Sequence, residues 1–450
     1  MSIEIKSKPL LSVPPIILPL PPTLEDQAKI MSSRYGYSPV AYYNGLPIEE
    51  GNIIYFKLES TNWLPILKMT VKDWSSQMKS TKFALDNSTI TIFINAIESS
   101  LRDILMEFKI VGYDYDPKND LFYITGWPHV DKLYLETNTA YRQKTSFEVV
   151  EQLAREYKLG FSTNIKNTND KMTWINPGQI AEEFIIKTVH RAYINDDSFI
   201  WSFLDFYYCI NFFDVEVEMN QDASKNVGVV SATGIGDEEK KEKKPSELVL
   251  FFGKKVEGAS TNLDIVDYEI YNQSTFQSIA QGYRKEVEYY DRTGNWNNGK
   301  AGQFLSFKLE TNQVSKAVQE NIVLKDLPNS PQSDSFFKNN TKVHWLGKFD
   351  ISNAHLNYNY TIQHNRFNLE ELQKVYAVIT LAVPNYNIKR FMKIKILLND
   401  ILLTNTQNAL NERLSGAWLV TGIVFEKNNG VFLQKLVVVR RELTSKNYDI

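Results

Sequence analysis

Cysteine is nearly absent from this chain: Cys209 is the only one in 450 residues. No intrachain disulfide can form, so the fold needs no oxidising compartment. Net charge is nearly absent too, with 50 Lys and Arg against 53 Asp and Glu, a formal −3. That balance excludes a surface built to coat nucleic acid or to lie on an anionic membrane. No uninterrupted apolar run reaches 18 residues, which predicts no transmembrane helix and no membrane insertion. The apolar run PLLSVPPIILPLPP at 9–22 carries six prolines. Prolines break the helical core that a signal peptide needs, so this segment reads as an extended arm.

Signatures of catalysis and of ligand binding are missing as well. His129, His190, His344, His355 and His364 stand apart, with no His-Glu-x-x-His, Cys-x-x-Cys or calcium-loop spacing around them. Gly234-Ile235-Gly236 lacks the third glycine of a phosphate cradle and sits in a polar linker. No Gly-x-Ser-x-Gly elbow occurs, and Cys209 lies in the apolar run Tyr207-Tyr208-Cys209-Ile210, where a thiol is inert. The best candidate for an acidic or calcium site is Tyr113 to Asp120, whose Pro117-Lys118-Asn119-Asp120 centre reads as a hairpin turn and not a cation site. The sequence therefore names no catalytic residue, no cofactor-binding residue, no metal ligand and no cofactor, and the expectation is a protein that is not an enzyme.

Aromatic residues are plentiful, with 24 Tyr, 25 Phe and 8 Trp. Large rings favour strands and subunit contacts. Period-two alternation follows at once: Ile54, Phe56 and Leu58 against Tyr55, Lys57 and Glu59; Leu67, Met69 and Val71 against Lys68, Thr70 and Lys72; then 90–96, 106–110, 122–126 and 133–136. Six short strands separated by turn residues predict a small barrel over 41–138.

The period changes at Thr145-Ser146-Phe147-Glu148, a capping box that opens a helix with Phe147, Val150, Leu153, Ala154 and Tyr157 on one stripe. Gly160 is the expected left-handed stop. A second helix is expected from Gly178 to about Tyr193. A third is expected over Ser198 to Tyr208, apolar all round, before strand pattern returns at 211–219. Residues 139–220 thus form an α/β insertion carried by a barrel, and 221–247 a charged loop. Strands return at 248–252, 265–271, 375–383 and 389–398, with Gly- and Asn-rich loop at 293–302. A second domain spans 248–374, and 375–450 supplies the strands that close its barrel.

The last hairpin, Leu414 to Glu442, is apolar on both faces. Trp418, Val420, Gly422 and Val424 fall on one face of its first arm, and Leu419, Thr421, Ile423 and Phe425 on the other. Such a sheet has a core on one side and protein on the other.

Three segments resemble the central baseplate hub proteins of contractile-tailed bacteriophages and, more distantly, the hub part of type VI secretion spike proteins. They are TSFEVVEQLAREYKLGFS (145–162) followed by the segment 176–219, GYRKEVEYYD (282–291), and RLSGAWLVTGIVFEKNNGVFLQKLVVVRREL (413–443). The resemblance implies a mainly β fold with an α+β insertion: two small antiparallel β barrels related by pseudo-symmetry, plus a helical domain packed outside. It implies a homotrimer whose six barrels join a six-fold tail tube protein to a three-fold central spike protein, beside baseplate wedge proteins, in the virion tail, assembled in the host cytoplasm. DNA would pass through the channel without specific binding, so inward strand ends should be acidic or neutral. No repeat-rich β-helix and no lysin segment is recognisable before Ile450, so a piercing tip is expected on another chain. The alternative expectation is a receptor- or carbohydrate-binding tail protein presenting exposed aromatic platforms.

Overall fold

The structure, a computed structural model, describes residues 10–13, 38–73, 76–80, 88–94, 103–195, 198–220, 249–252, 262–272, 286–291, 304–310, 313–315, 341–346, 375–381, 384–386, 388–398, 414–428 and 430–440, with single residues between 355 and 373. The loop expected at 221–247 and the one at 293–302 lie outside the described residues.

The first strands in chain order are β1 (Leu10–Val13), β2 (Val40–Tyr43), β3 (Leu46–Ile48), β4 (Ile53–Ser60), β5 (Ile66–Lys72), β6 (Thr89–Ile94), β7 (Ile104–Asp116) and β8 (Leu121–Pro128). All but β1 form a curled antiparallel sheet in the order β4-β5-β8-β7-β6-β2-β3. Phe56, Leu58, Leu67, Met69, Ile92, Met106 and Phe108 are buried on its inner face, where branched and aromatic side chains stack across neighbouring strands. One residue of β4 departs from the expected alternation. Ile53 pairs with Val71 and Tyr55 with Thr70, so Ile54 is bulged out and 45% exposed, and Ile53 takes its place beside Phe56 and Leu58. Of the stretch 133–136, expected as a strand, Leu133 and Tyr134 instead end a short 3-10 helix, Asp131–Tyr134, that buries Leu133, and strand begins only at Glu136.

The insertion follows with β9 (Glu136–Lys144), β10 (Gly160–Thr163), β11 (Met172–Ile180), β12 (Ile200–Leu204) and β13 (Cys209–Asp214). Its first helix, Ser146–Glu156, opens with the expected capping box: the Thr145 side chain accepts from the Glu148 amide and Glu148 reaches back to the Thr145 amide at 2.9 Å. Ser146 and Asp170 add a buried network beneath this end. The left-handed residue after the helix is Lys158 (φ 60°), and Gly160 begins β10. The second helix is shorter than expected, Ala181–His190, because β11 runs to Ile180.

The third expected helix does not form. Residues 198–208 make β12 and a tight turn into β13, and the helix Val215–Met219 occupies the end of what was expected as strand. Asp205 decides this: its carboxylate accepts from the amides of Tyr207 (2.8 Å) and Cys209 (3.0 Å), and Tyr208 takes φ 57°. A carboxylate that binds amides two and four residues on stabilises a turn in competition with helix, and the aromatic residues on either side suit strands. In this sheet the order is β1-β10-β13-β12, while β9 and β11 form a separate ribbon.

The second half contributes β14 (Val249–Phe252), β15 (Asn262–Asn272), β16 (Glu286–Asp291), β17 (Phe304–Glu310), β18 (Gln313–Ser315), β19 (Thr341–Leu346), β20 (Val375–Leu381), β21 (Lys393–Leu398), β22 (Gly416–Asn428) and β23 (Val431–Arg440). Four of these, β18-β17-β16-β19, form a small sheet of their own. The other six close on themselves in the ring β21-β14-β15-β20-β23-β22, with β22 pairing back to β21. Closure leaves no open edge in that ring. Four of the six pairings around the ring are antiparallel, and the other two belong to β14, which runs parallel to both β15 and β21. Ile379, Ile394, Ile396, Trp418, Val420 and Val438 fill the ring and join the same apolar cluster as the first sheet. The fold is mainly β with an α+β insertion.

Candidate functional site at the shared strand

What ties the two β units together is β22. One of its edges pairs with β23 along its length. The other changes partner half-way: Gly416 to Leu419 pair with β21 and close the ring, and Ile423 to Asn428 pair with β4 and start the curled sheet. The change falls on a bulge, because Val420 pairs with Val438 and Gly422 with Val437, leaving Thr421 unpaired in the ladder. A bulge bends a strand and increases its twist, which is what a strand serving two sheets requires.

The bulge also re-sorts the faces. Trp418, Val420, Ile423 and Phe425 share the inner face, whereas alternation without a bulge sets Ile423 and Phe425 opposite Trp418. Gly422 is required by its surroundings: a Cβ there would lie 2.9 Å from Thr61 Cγ2 and 3.2 Å from Val437 Cβ.

Arg390 holds this seam. It is only 6% exposed, and its Nε donates to the Thr421 carbonyl at 2.7 Å. Nη1 donates to the Asn62 carbonyl at 2.6 Å and the Ser60 hydroxyl at 3.3 Å, at the end of β4. The guanidinium lies 4.2 Å from the centre of the Phe203 ring on β12. One side chain therefore contacts both β units and the insertion. Burial lowers the Arg390 pKa to about 9, and the group keeps its proton at neutral pH. Among the described residues no carboxylate forms an ion pair with it. Asp205 lines the same small cavity of about 60 Å³, and burial raises its pKa, against the opposing hydrogen bonds from Asn211 and the Cys209 and Tyr207 amides.

The neighbouring contacts are of the same kind. Phe391 N donates to Val420 O and Val420 N to Met392 O, so the segment before β21 pairs through the bulge. Gln434, fully buried on β23, donates to the Asn385 carbonyl and accepts from the Asn385 amide. Lys427, 5% exposed at its side chain, reaches Glu50 at 2.8 Å. Leu204 N donates to Trp63 O. Asn365 Nδ2 satisfies the His190 and Ala192 carbonyls at the end of the second insertion helix. Each contact joins residues far apart in sequence.

The second face of the hairpin is covered from within the chain. Leu419 and Val439 pack with Phe199, Phe203, Phe213, Val215, Leu372 and Phe391, so the protein expected on that side is the insertion's own sheet. Sequence reasoning read two apolar faces correctly and could not tell a domain of the same chain from a neighbouring subunit.

The sequence-level candidates scatter. Asp116 and Asp120 stand in the β7 to β8 turn, where Asp116 accepts from the Lys118 amide (2.9 Å) and Asn119 Nδ2 (2.7 Å), as a turn demands. Lys79 pairs with Asp120. His129 meets Glu107 at 2.8 Å on the sheet surface. His190 lies beside Trp201 and His355 beside Trp174, both with pKa lowered by burial. His344 is on β19. His364 and the Gly234-Ile235-Gly236 segment lie outside the described residues. Cys209 is buried in β13. Among the described residues no three His, Cys, Asp or Glu side chains converge to hold a metal. One acidic pair escaped the sequence reading: burial pushes Asp214 up to about 6 and Glu218 up to about 7, and Asn164 Nδ2 donates to the Glu218 carboxylate and to the Asp214 backbone carbonyl.

No family model matches this chain, and no curated protein matches it in sequence. Solved structures do. The 43 kDa tail protein of prophage MuSo2 from Shewanella oneidensis aligns with TM-score 0.50 at 9% identity, over 90% of this chain and 99% of that one. The two share a fold. A tail protein from Neisseria meningitidis gives 0.49 at 9% identity over 90% and 97% of the two chains. A component of the Escherichia coli type VI secretion system gives 0.42 at 10% identity over 91% and 78%. At those scores neither adds to the fold assignment. The structural neighbours of this chain are thus phage tail and secretion-system proteins.

Proposed function

We propose that this chain is a non-enzymatic structural component of a phage tail, a trimeric baseplate hub joining a six-fold tail tube to a three-fold spike around the DNA exit channel. The observation that carries the reading is the shared strand. A closed ring and a curled sheet built on opposite halves of β22 make one continuous sheet with two β units. Three such bodies around an axis present six units, which is how a trimer can meet a hexameric tube. The fold shared with a prophage tail protein over nearly the whole of both chains supports it. The units of this reading are the curled sheet at 41–138 and the closed ring within 248–450, with the insertion at 139–220 between them.

Wedge, tube and spike proteins are the partners this function calls for, and DNA would slide through the channel ungripped. The outer face of the curled sheet favours protein contacts of mixed charge: Lys57 and Lys68 both pair with Glu59, and Lys435 with Glu426. The receptor-binding alternative needs exposed aromatic platforms. Among the described residues Trp63, Trp174 and Trp418 are buried and Trp127 and Trp201 half-buried, while Tyr113, Tyr123 and Tyr271 are exposed on separate strands. Light scattering on the purified chain tests the proposal. Three chains of 52.0 kDa give a particle of about 156 kDa, whereas a mass that stays at one chain over a wide concentration range contradicts it.

A further inference from the structure

The strand β10 is an edge that cannot stand open. On one side it pairs in parallel with β13, Gly160 with Cys209 through Thr163 with Phe212. All four of its residues are buried, Ser162 and Thr163 included. Without a further strand its other row of amides and carbonyls would be an unpaired sheet edge. That strand is β1, antiparallel, with Leu10 opposite Thr163, Leu11 opposite Ser162 and Val13 opposite Phe161. The segment that completes the insertion's sheet therefore comes from a point about 150 residues away in sequence.

The tether between β1 and the first residue of the curled sheet's approach is 14–37, 24 residues with prolines at 14, 15, 19, 21 and 22. Extended, 24 residues reach up to about 80 Å, farther than the radius of a domain of this size. No charged residue occurs between Lys8 and Glu25, so the arm is apolar along the part that follows β1.

We propose that β10 is a strand-accepting site whose occupant, in the assembled protein, is Leu10–Val13 of a neighbouring copy of this chain. The hydrogen bonds made by β1 on its own β10 and on a neighbour's are identical, so exchange costs little. Each exchanged arm then fastens one protomer to the next in a closed ring, and the effective concentration of the arm inside the ring keeps it seated. This inference rests on the trimeric reading above.

Cysteine pairing tests it, because the one native thiol, Cys209, is buried. Residues directly opposite in an antiparallel pair are close enough for a disulfide. Full-length chains carrying Leu11→Cys alone and Ser162→Cys alone, distinguishable by a mass tag, are co-expressed, purified as the oligomer and oxidised. A disulfide joining the two different chains is the expected result, since neither chain holds both thiols. A parallel chain carrying both substitutions is expected to run as covalent oligomers on a non-reducing gel. Intrachain disulfide alone in the double variant, with no mixed product, overturns the exchange, and so does the absence of any disulfide at this pair. A three-chain mass with intrachain product defeats only this inference, whereas a one-chain mass defeats the hub reading with it.

Discussion

Replacing Arg390 by Met removes the fork at the seam while keeping a side chain of similar length. Four acceptors lose their donor: the carbonyls of Thr421 and Asn62, held at 2.7 and 2.6 Å, the Thr61 carbonyl at 3.4 Å, and the Ser60 hydroxyl. Hydrogen bonds from a charged group contribute about 1.5–3 kcal/mol each, and the stacking on Phe203 adds about 1 kcal/mol. Against this, the variant no longer buries a charge without a counter-ion, which returns several kcal/mol. The adjoining cavity can also admit water to the orphaned carbonyls. The balance is a local loss of about 3 kcal/mol, or roughly 100-fold in the opening equilibrium of the seam. Hydrogen exchange reads it directly at three amides: Val420, bonded to Met392 O; Phe391, bonded to Val420 O; and Leu204, bonded to Trp63 O. These should exchange about 100-fold faster than in the parent, while amides in the centres of β7 and β8 keep their protection. Arg390→Lys should fall between, since a point charge cannot serve acceptors in three directions. Unchanged exchange at Val420 and Leu204 in a folded Arg390→Met protein would refute the view that this residue joins the three parts.

Three further outcomes follow from the same geometry. Glu218 has its folded pKa raised from 4.5 to about 7 by burial first and Asp214 second, opposed by the Asn164 hydrogen bond; a raised carboxyl contributes most stability at low pH and loses it as pH climbs from about 4.5 to about 7. Glu218→Gln should therefore be more stable than the parent by about 2–3 kcal/mol at pH 8 and no more stable at pH 4, as read from denaturant midpoints at the two pH values. Gly422→Ala should cost about 1–3 kcal/mol through overpacking, and pairing it with Thr61→Ser, which removes the Cγ2 atom 2.9 Å away, should recover part of the loss in thermal unfolding. Thr145→Ala should cost about 1 kcal/mol by unmaking the capping box, and Thr145→Ser should not.

Much of this fold was written locally. The capping box at Thr145 needs only four neighbouring residues, and the alternation of β5 and β7 only their own length, so both could be read before any coordinates. What escaped the sequence depends on partners distant along the chain. The bulges at Ile54 and Thr421 shift face parity by one residue; Gly422 beside Thr421 is the one local mark of the second, and nothing flanking Ile54 marks the first. Residues 198–208 carry the same apolar content in strand and helix, and the decision rests with Asp205 and its amide partners. Arg390 follows Lys389 in a stretch that reads as an ordinary polar strand start. Its role appears only when Ser60, Asn62, Thr421 and Phe203 are brought around it. The two apolar faces of the last hairpin were legible, but which protein covers the second face was a question of topology.

Electron microscopy of the purified oligomer, viewed down its axis, bears most directly on the proposal that two β units per chain let three chains imitate a hexagon. Class averages with six similar lobes around an open channel are the predicted outcome. Averages with three lobes, or with no ring at all, would contradict it.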